Sequence, residues 1–428
     1  MRYQPIPSEL FIENRKRLRQ LLPPNSLVVV NANDILPTTT DGSLPIFPNS
    51  DLFYLTGVEQ EESVLVLMPD AAEESLREML FVRETNDHLK VWEGAKLSKE
   101  RVTELSGIKS VRWLSQFEQT FQSLMTRCDG VFLNSNEHAR ADLTVETRDA
   151  RFVAACQRRF PLHRYHRLAP LMAQLRAVKA PAEVDMIRKA VDITDEGLRR
   201  VYGFVKPGVK EYEVEAELAH TFISRGGRFA YNPIIAGGAN SCVLHYIEND
   251  KALRSGDVLL LDVAAAYGNY NADLTRTIPV NGKFTKRQRQ VYDAVLAVLR
   301  GSIAGATVGK PHRDWHHESQ VMMNQELLKI GLLKPAEVRK HTREAPACRK
   351  YFMHGLGHSL GLGVHDLGDN GPAFRAGMVL TVEPGIYLPD EGFGVRLEND
   401  ILLTENGPID LCAHVPIEAR EVEALMRR

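Results

Sequence analysis

The sequence predicts an α+β protein of two domains: an N-terminal α/β domain over residues 1–172, and a C-terminal domain over 173–428 with an antiparallel sheet flanked by helices. Three observations predict it. Short apolar runs of strand length alternate with amphipathic stretches through the first part, as in a sheet covered by helices. Long one-sided helical stripes follow from Pro181 onward. Between and after those stripes lie apolar strands ending in turn signals, as hairpins do. The 428 residues also exceed the roughly 250–300 at which single cores stop growing.

In chain order, Leu27 to Val30, Ser63 to Met68, Met79 to Val82 and Val131 to Leu133 read as strands. Glu74 to Leu80 and Glu100 to Leu105 read as amphipathic segments between or beside them. A helix ends near Val178, and Pro181 stands where the next begins, because proline at the first helical position sacrifices no hydrogen bond. Val184, Ile187, Val191, Thr194 and Leu198 then recur at helical spacing. Val214, Leu218 and Phe222 mark a second helix after Pro207–Gly208. A third starts at Thr285, where Gln288 completes a capping box ahead of Val291, Val295 and Val298. A fourth runs from Trp315 to Ile330, with His316 and His317 on a solvated face; His163 and His166 read the same way.

Lys+Arg 53 against Asp+Glu 55 leaves a net charge of −2 and no basic stripe, which sets nucleic acid aside as a partner. No run approaches the ~20 apolar residues that span a bilayer, so no membrane partner is expected. The start, MRYQPIPSELFIENRKRLRQ, lacks the apolar core of a signal peptide. Cys128, Cys156, Cys242, Cys348 and Cys412 are odd in number and show no CxxC spacing. The expectation is a cytoplasmic protein with reduced thiols.

Asp262 ends the apolar run Val258 to Leu261. If Tyr267–Gly268 is a two-residue hairpin loop, Asp262 directly faces Asp273, with Cβ atoms about 4.5–5.5 Å apart. Two bare carboxylates that close repel each other, and a cation between them removes the conflict. Downstream come HGLGHSLGLGVHD (354–366), Glu383 after the apolar strand Met378 to Val382, and Glu398 in RLEND. Glycines at 355, 357, 361 and 363 argue against a helix at about 1 kcal/mol each, and HGLGH lacks the glutamate of HExxH. They suit a backbone that passes close to a filled site. Singly, each residue has a plainer reading as a turn aspartate, a salt-bridged glutamate or a hydrogen-bonded histidine. Together, four carboxylates and one histidine make a candidate cage for two divalent ions. The one imidazole biases this oxygen-rich set toward manganese, iron, cobalt or zinc.

FPNSDLFYLTGVEQEESVLVL and RETNDHLKVWEG in the first domain resemble the superfamily of aminopeptidase P, prolidase and methionyl aminopeptidase. So do AYNPIIAGGANSCVLHY, DVAAAYGNYNADLTRTIPV, YFMHGLGHSLGLGVHD, TVEPGIY and GVRLEND in the second, and the likeness covers essentially the whole chain. It implies a creatinase or ribonuclease H-like first domain and a pita-bread second domain. The implied metal ligands are Asp262, Asp273, His358, Glu383 and Glu398, holding two divalent ions, manganese foremost, with Asp273 and Glu398 bridging both. The implied catalytic residues are Glu383, His365, His245, His354 and Arg396. Tyr387, Tyr231 and Trp92 are the implied substrate-binding residues, Trp92 reaching a neighbouring subunit's site in a homodimer or homotetramer; its plain alternative is a core side chain. The implied reaction frees the N-terminal residue of peptides with proline at position two. A hydroxide bridging the ions attacks, Glu383 passes its proton to the prolyl nitrogen, and His365 steadies the oxyanion. A prolidase acting on Xaa-Pro dipeptides would use the same ligands, whereas non-catalytic binding modules of this fold lose them. Ala264 stands where the family often has glycine, and Gly363 where aspartate is common.

Overall fold

In the computed structural model, described for all residues except 1, 136, 138–143, 369–372 and 428, the chain divides into two compact units. One is Pro5–Arg176 and the other Ala177–Arg428 with Met1–Gln4. The first is built on a six-stranded mixed sheet in the order Ser110–Trp113, Glu78–Val82, Val64–Leu67, Ser26–Asn31, Gly130–Leu133, Arg164–Arg167. Its central strands are buried on both faces, which is why they read as unbroken apolar runs. Helices Phe117–Met125 and Arg148–Arg159 pack Phe121, Leu124, Met125 and Cys156 against Leu27, Val29, Val66 and Phe81.

Two expectations for this unit fail. Over Glu74 to Leu80 only a 3₁₀ turn, Glu74–Leu76, forms, and the chain then enters the strand Glu78–Val82. Met79 to Val82 are all buried, so that stretch has no polar face and sheet pairing prevails over a one-sided helix. His163 is half-buried, its Nε2 2.6 Å from the Met125 carbonyl, while His166 does stay exposed, stacked on Phe132.

The second unit holds helices Pro181–Phe204, Glu211–Ser224, Lys286–Gly305 and His312–Lys329, the last starting three residues earlier than expected. Thr285 Oγ1 accepts from Gln288 N–H and Gln288 Oε1 accepts from Thr285 N–H, closing the capping box. All strand pairs here are antiparallel. Val258–Asp262 is central between Ile234–Gly237 and Thr275–Pro279, and Asn399–Thr404 between Val379–Val382 and Gly407–Asp410. Gly385–Leu388 and Phe393–Arg396 form a hairpin. Val191, Leu198 and Phe222 pack on Leu259, Leu261 and Ile278; Val295, Leu299 and Trp315 share a second core with Leu380, Val382 and Val395.

His316 and His317 are not on a solvated face. Both are half-buried: His316 Nδ1 accepts from Leu356 N–H at 3.2 Å, and His317 stacks on His341 with centroids 5.3 Å apart. Their helix packs against Lys286–Gly305 on one side and against the 347–350 turn on another, which leaves Arg313 and Glu318 exposed but covers the two histidines in part. Among the described residues no helix is long and apolar enough to cross a membrane, and the five cysteines are free thiols.

The hairpin that carries the two aspartates turns at Gly268–Asn269, not at Tyr267–Gly268. Both turn residues have positive φ, 57° and 65°, as a type I′ turn requires, and glycine and asparagine adopt this more cheaply than tyrosine. Tyr267 therefore pairs with Tyr270, and Asp262 pairs with Thr275. Moving the turn by one residue moves every cross-strand partner by two. Asp273 thus remains on the Asp262 face, as its diagonal neighbour. Asn269→Val, a β-branched residue at positive φ, should lower stability by about 1–3 kcal/mol, read as a reduced melting temperature. Asn269→Gly should lose clearly less; equal losses would mean the turn geometry is not the cause.

Candidate active site

Each predicted carboxylate ligand sits at or beside the end of a buried strand, so the ladder fixes its backbone. Asp262 ends Val258–Asp262, Asp273 lies just ahead of Thr275–Pro279, Glu383 follows Val379–Val382 and Glu398 precedes Asn399–Thr404. His358 comes from the glycine-rich segment, which runs beside Val379–Val382: His358 O accepts from Thr381 N–H at 2.9 Å and Leu356 O from Glu383 N–H at 2.8 Å. A Cβ on Gly357 would lie 2.0 Å from the Thr381 carbonyl oxygen. The close approach expected of these glycines is real at Gly357, and the surface approached is this strand.

Asp273, His358 and Glu398 offer ligand atoms that all lie within 4.8 Å of one another. His358 Nε2 is 3.4 Å from Asp273 Oδ2 and 3.6 Å from Glu383 Oε1. Its Nδ1 faces the Ser359 carbonyl at 3.1 Å. A carbonyl can only accept, so Nδ1 carries hydrogen and Nε2 is the nitrogen available to a metal, the usual orientation of a ligating histidine. Asp262 stands outside this group of three: its two oxygens accept from Tyr231 O–H and Arg396 Nη2–H, each at 2.6 Å.

A one-way hydrogen-bond chain lies beside the carboxylates. Arg396 Nη1–H donates to Tyr387 Oη at 2.8 Å, Tyr387 O–H to His354 Nε2 at 2.8 Å, and His354 Nδ1–H to the Gly355 carbonyl at 2.8 Å. Burial and the Arg396 charge hold His354 neutral, down to about 4. His354 Nδ1 is also 3.7 Å from Glu383 Oε2. His365 lies tilted against His358 with ring centroids 3.9 Å apart, while His245 stands exposed in the turn after Gly238–Cys242. Trp92, in the other unit, is 76% exposed, which disposes of its core reading.

Burial pushes Asp273, Glu383 and Glu398 above the usual carboxylate range, Glu383 to about 7, and neighbouring acids add to each shift. Burial opposes charge on His358, yet the bond to Asp273 and the charges of Asp273 and Glu383 hold it up at about 9. A cluster with more negative than positive groups is poised for added positive charge. Its oxygen-rich donors and one correctly turned imidazole suit a divalent cation.

Sequence reasoning missed several supports. Thr275 Oγ–H donates to Glu398 Oε2 at 2.6 Å and Thr275 Oγ1 accepts from Arg396 Nε–H at 3.2 Å. Its signal was the place two residues after Asp273, on the same strand face. Asp400, fully buried, accepts Asp273 N–H at 3.0 Å. Arg276, fully buried, donates to the carbonyls of Thr275, Glu398 and Pro416, and its charge inside an apolar strand was legible. Lys179 pairs with Asp366 at 3.3 Å, both side chains at most 2% exposed, and Asp366 N–H and Oδ1 bind Ser359 O and Gly363 N–H in the loop that carries His365.

This is the geometry of a metal-dependent hydrolase centre. The chain belongs to metallopeptidase family M24, whose model matches residues 185–405, and residues 11–132 match the aminopeptidase P N-terminal domain. The Xaa-Pro aminopeptidase of Escherichia coli (strain K12) is 35% identical, over 97% of each chain. Human Xaa-Pro aminopeptidase 3 is 28% identical over 93% of this chain and 80% of its own. Among solved structures, proline aminopeptidase P II from Yersinia pestis matches with a TM-score of 0.87 at 33% identity, over 98% of this chain and 99% of that one. Zinc-substituted E. coli aminopeptidase P in complex with product also gives 0.87, at 34% identity over 99% of both. The fold is thus an aminopeptidase P N-terminal domain followed by a pita-bread domain, α+β as the sequence predicts.

Glu383 rises from 4.5 to about 7 on folding, so its contribution to stability is full below 4.5 and lost as pH passes about 7. His358 rises from 6.5 to about 9, so its contribution is full below 6.5 and lost through about 9. Both run the same way, and above about pH 7.5 the histidines that burial holds neutral, His354 among them, no longer oppose them: chelated protein should melt lower at about pH 9 than at about pH 7.5, and a divalent cation should restore it. A melting temperature that does not change over that window would mean that Glu383 and His358 do not hold their protons on folding. Separately, Asp366→Asn strands a buried lysine and should cost about 3–5 kcal/mol, whereas Lys179→Met with Asp366→Leu should cost less than either single change in denaturant titration.

Proposed function

We propose that the chain is a metal-dependent exopeptidase releasing the first residue of peptides whose second residue is proline. Two divalent ions, manganese foremost, are held by Asp262, Asp273, His358, Glu383 and Glu398. The observation that carries this reading is the Asp273–His358–Glu398 group with its ligand atoms within 4.8 Å, set among further buried carboxylates. Bound divalent ions supply Lewis acidity, which polarises a peptide carbonyl and lowers the pKa of water.

The remaining steps belong to the chain's own residues. The bond before proline has no N–H, so recognition cannot use the usual amide donor. Glu383, with one oxygen 3.6 Å from His358 and the other 3.7 Å from His354, is placed to take a proton from the attacking water and deliver it to the departing prolyl nitrogen. His365, its ring against that of His358, lies beside the cage as the donor for the oxyanion. Asp262, oriented by Tyr231 and Arg396, gives the substrate's free amine an acidic neighbour, which favours an exopeptidase. The exposed Trp92 supports a homodimer or homotetramer in which it meets a neighbouring copy, and the free thiols support a cytoplasmic location.

The test is to chelate the protein, restore manganese, and compare an Xaa-Pro-Yaa tripeptide with an Xaa-Pro dipeptide. Tripeptide cleavage is expected; dipeptide-only cleavage makes the protein a prolidase, and no metal uptake with no cleavage ends both readings. Glu383→Gln should lower kcat by about 10²–10⁴-fold with the fold intact by circular dichroism.

A further inference from the structure

A cavity of about 530 Å³ is lined by His354, His316, Arg313, Arg343, Arg349 and Glu344. It shares His354 with the reaction centre, where that ring accepts from Tyr387 and lies 3.7 Å from Glu383. His316 ties the wall to the same segment through its bond from Leu356 N–H. A peptide with its scissile bond at Glu383 therefore has this space within one or two residues' reach, at about 3.5 Å per residue.

The wall's charge is not needed to recognise proline. Asp314 pairs with Arg343 at 2.8 Å and lies 3.7 Å from Arg313. Glu344 faces the same space, and Arg349 has no ion-pair partner among the described residues. Three guanidinium groups against two acids leave the cavity positive. Guanidinium forks match the two oxygens of a carboxylate, and the volume holds an acidic side chain with water to spare.

We propose that this cavity is a subsite for a carboxylate of the peptide substrate, carried either by an acidic side chain next to the scissile bond or by the C-terminus of a short peptide. The proposal rests on the peptidase reading above. In the manganese-restored enzyme, kcat/KM is compared for Glu-Pro-Ala amide against Gln-Pro-Ala amide, and for Ala-Pro-Ala free acid against its amide. At least one acid is expected to exceed its neutral partner by three- to tenfold at low ionic strength, the margin shrinking in about 0.5 M salt. A preference in the first pair assigns the side chain; one in the second assigns the C-terminus. Arg349→Gln should remove most of that ratio, and Arg420→Gln, exposed on the C-terminal helix, should not. Calorimetric binding of the same peptides to Glu383→Gln protein separates the two readings. Tighter binding of an acid without any turnover in the parent enzyme leaves the subsite standing and removes the peptidase. Ratios within twofold in both measurements, or a ratio that Arg349→Gln leaves unchanged, overturn the subsite.

Discussion

Carboxyl groups packed into one buried pocket cannot all ionise unless positive charge enters with them, and this constraint organises the catalytic unit. Asp273, Glu383, Glu398 and Asp400 are all pushed toward their protonated forms by burial and by one another. The positive groups within reach are few. Arg396 is committed to Asp262 and Tyr387, and His358 faces Asp273 and Glu383. A polypeptide that keeps so much uncompensated acid in its interior holds it there for a cation, because a purely structural core would be more stable with apolar residues of the same volume.

What allows the acids to be gathered is the antiparallel sheet. Strand ends are the positions where the backbone is fixed by hydrogen bonds while the side chain points beyond the packed sheet, and all four candidate carboxylates occupy such positions. The glycine-rich segment completes the arrangement by bonding alongside Val379–Val382, which fixes His358 against Glu383. Arg276 and Thr275 hold the Glu398 segment from behind. Histidine and carboxylates meet through backbone geometry first and side-chain chemistry second.

Much of this was legible in the chain itself. Helical stripes, the capping box at Thr285 and the apolar run into Asp262 report local physics, and local physics survives folding. The register error at the hairpin was harmless because its effect was an even number of residues. The failures have a common cause. His316 and His317 look solvated in a helical projection, yet the segment that covers them arrives from residues 341–356, beyond any local window. Lys179 and Asp366 are 187 positions apart, and Thr275 matters only because Glu398 and Arg396 come to it. Contacts made across the fold leave little periodic trace.

The Lys179–Asp366 pair sets where the catalytic half can be cut from the rest. The helix begins at Pro181, which invites a boundary there, yet the residue that neutralises Asp366 lies two positions upstream. A fragment opened at the helix start would leave an acid in a dry interior beneath the His365 loop and would be expressed with its loop unanchored. The severable piece must include the short extended stretch before the helix, so the inter-domain joint is also an internal part of the active-site scaffold.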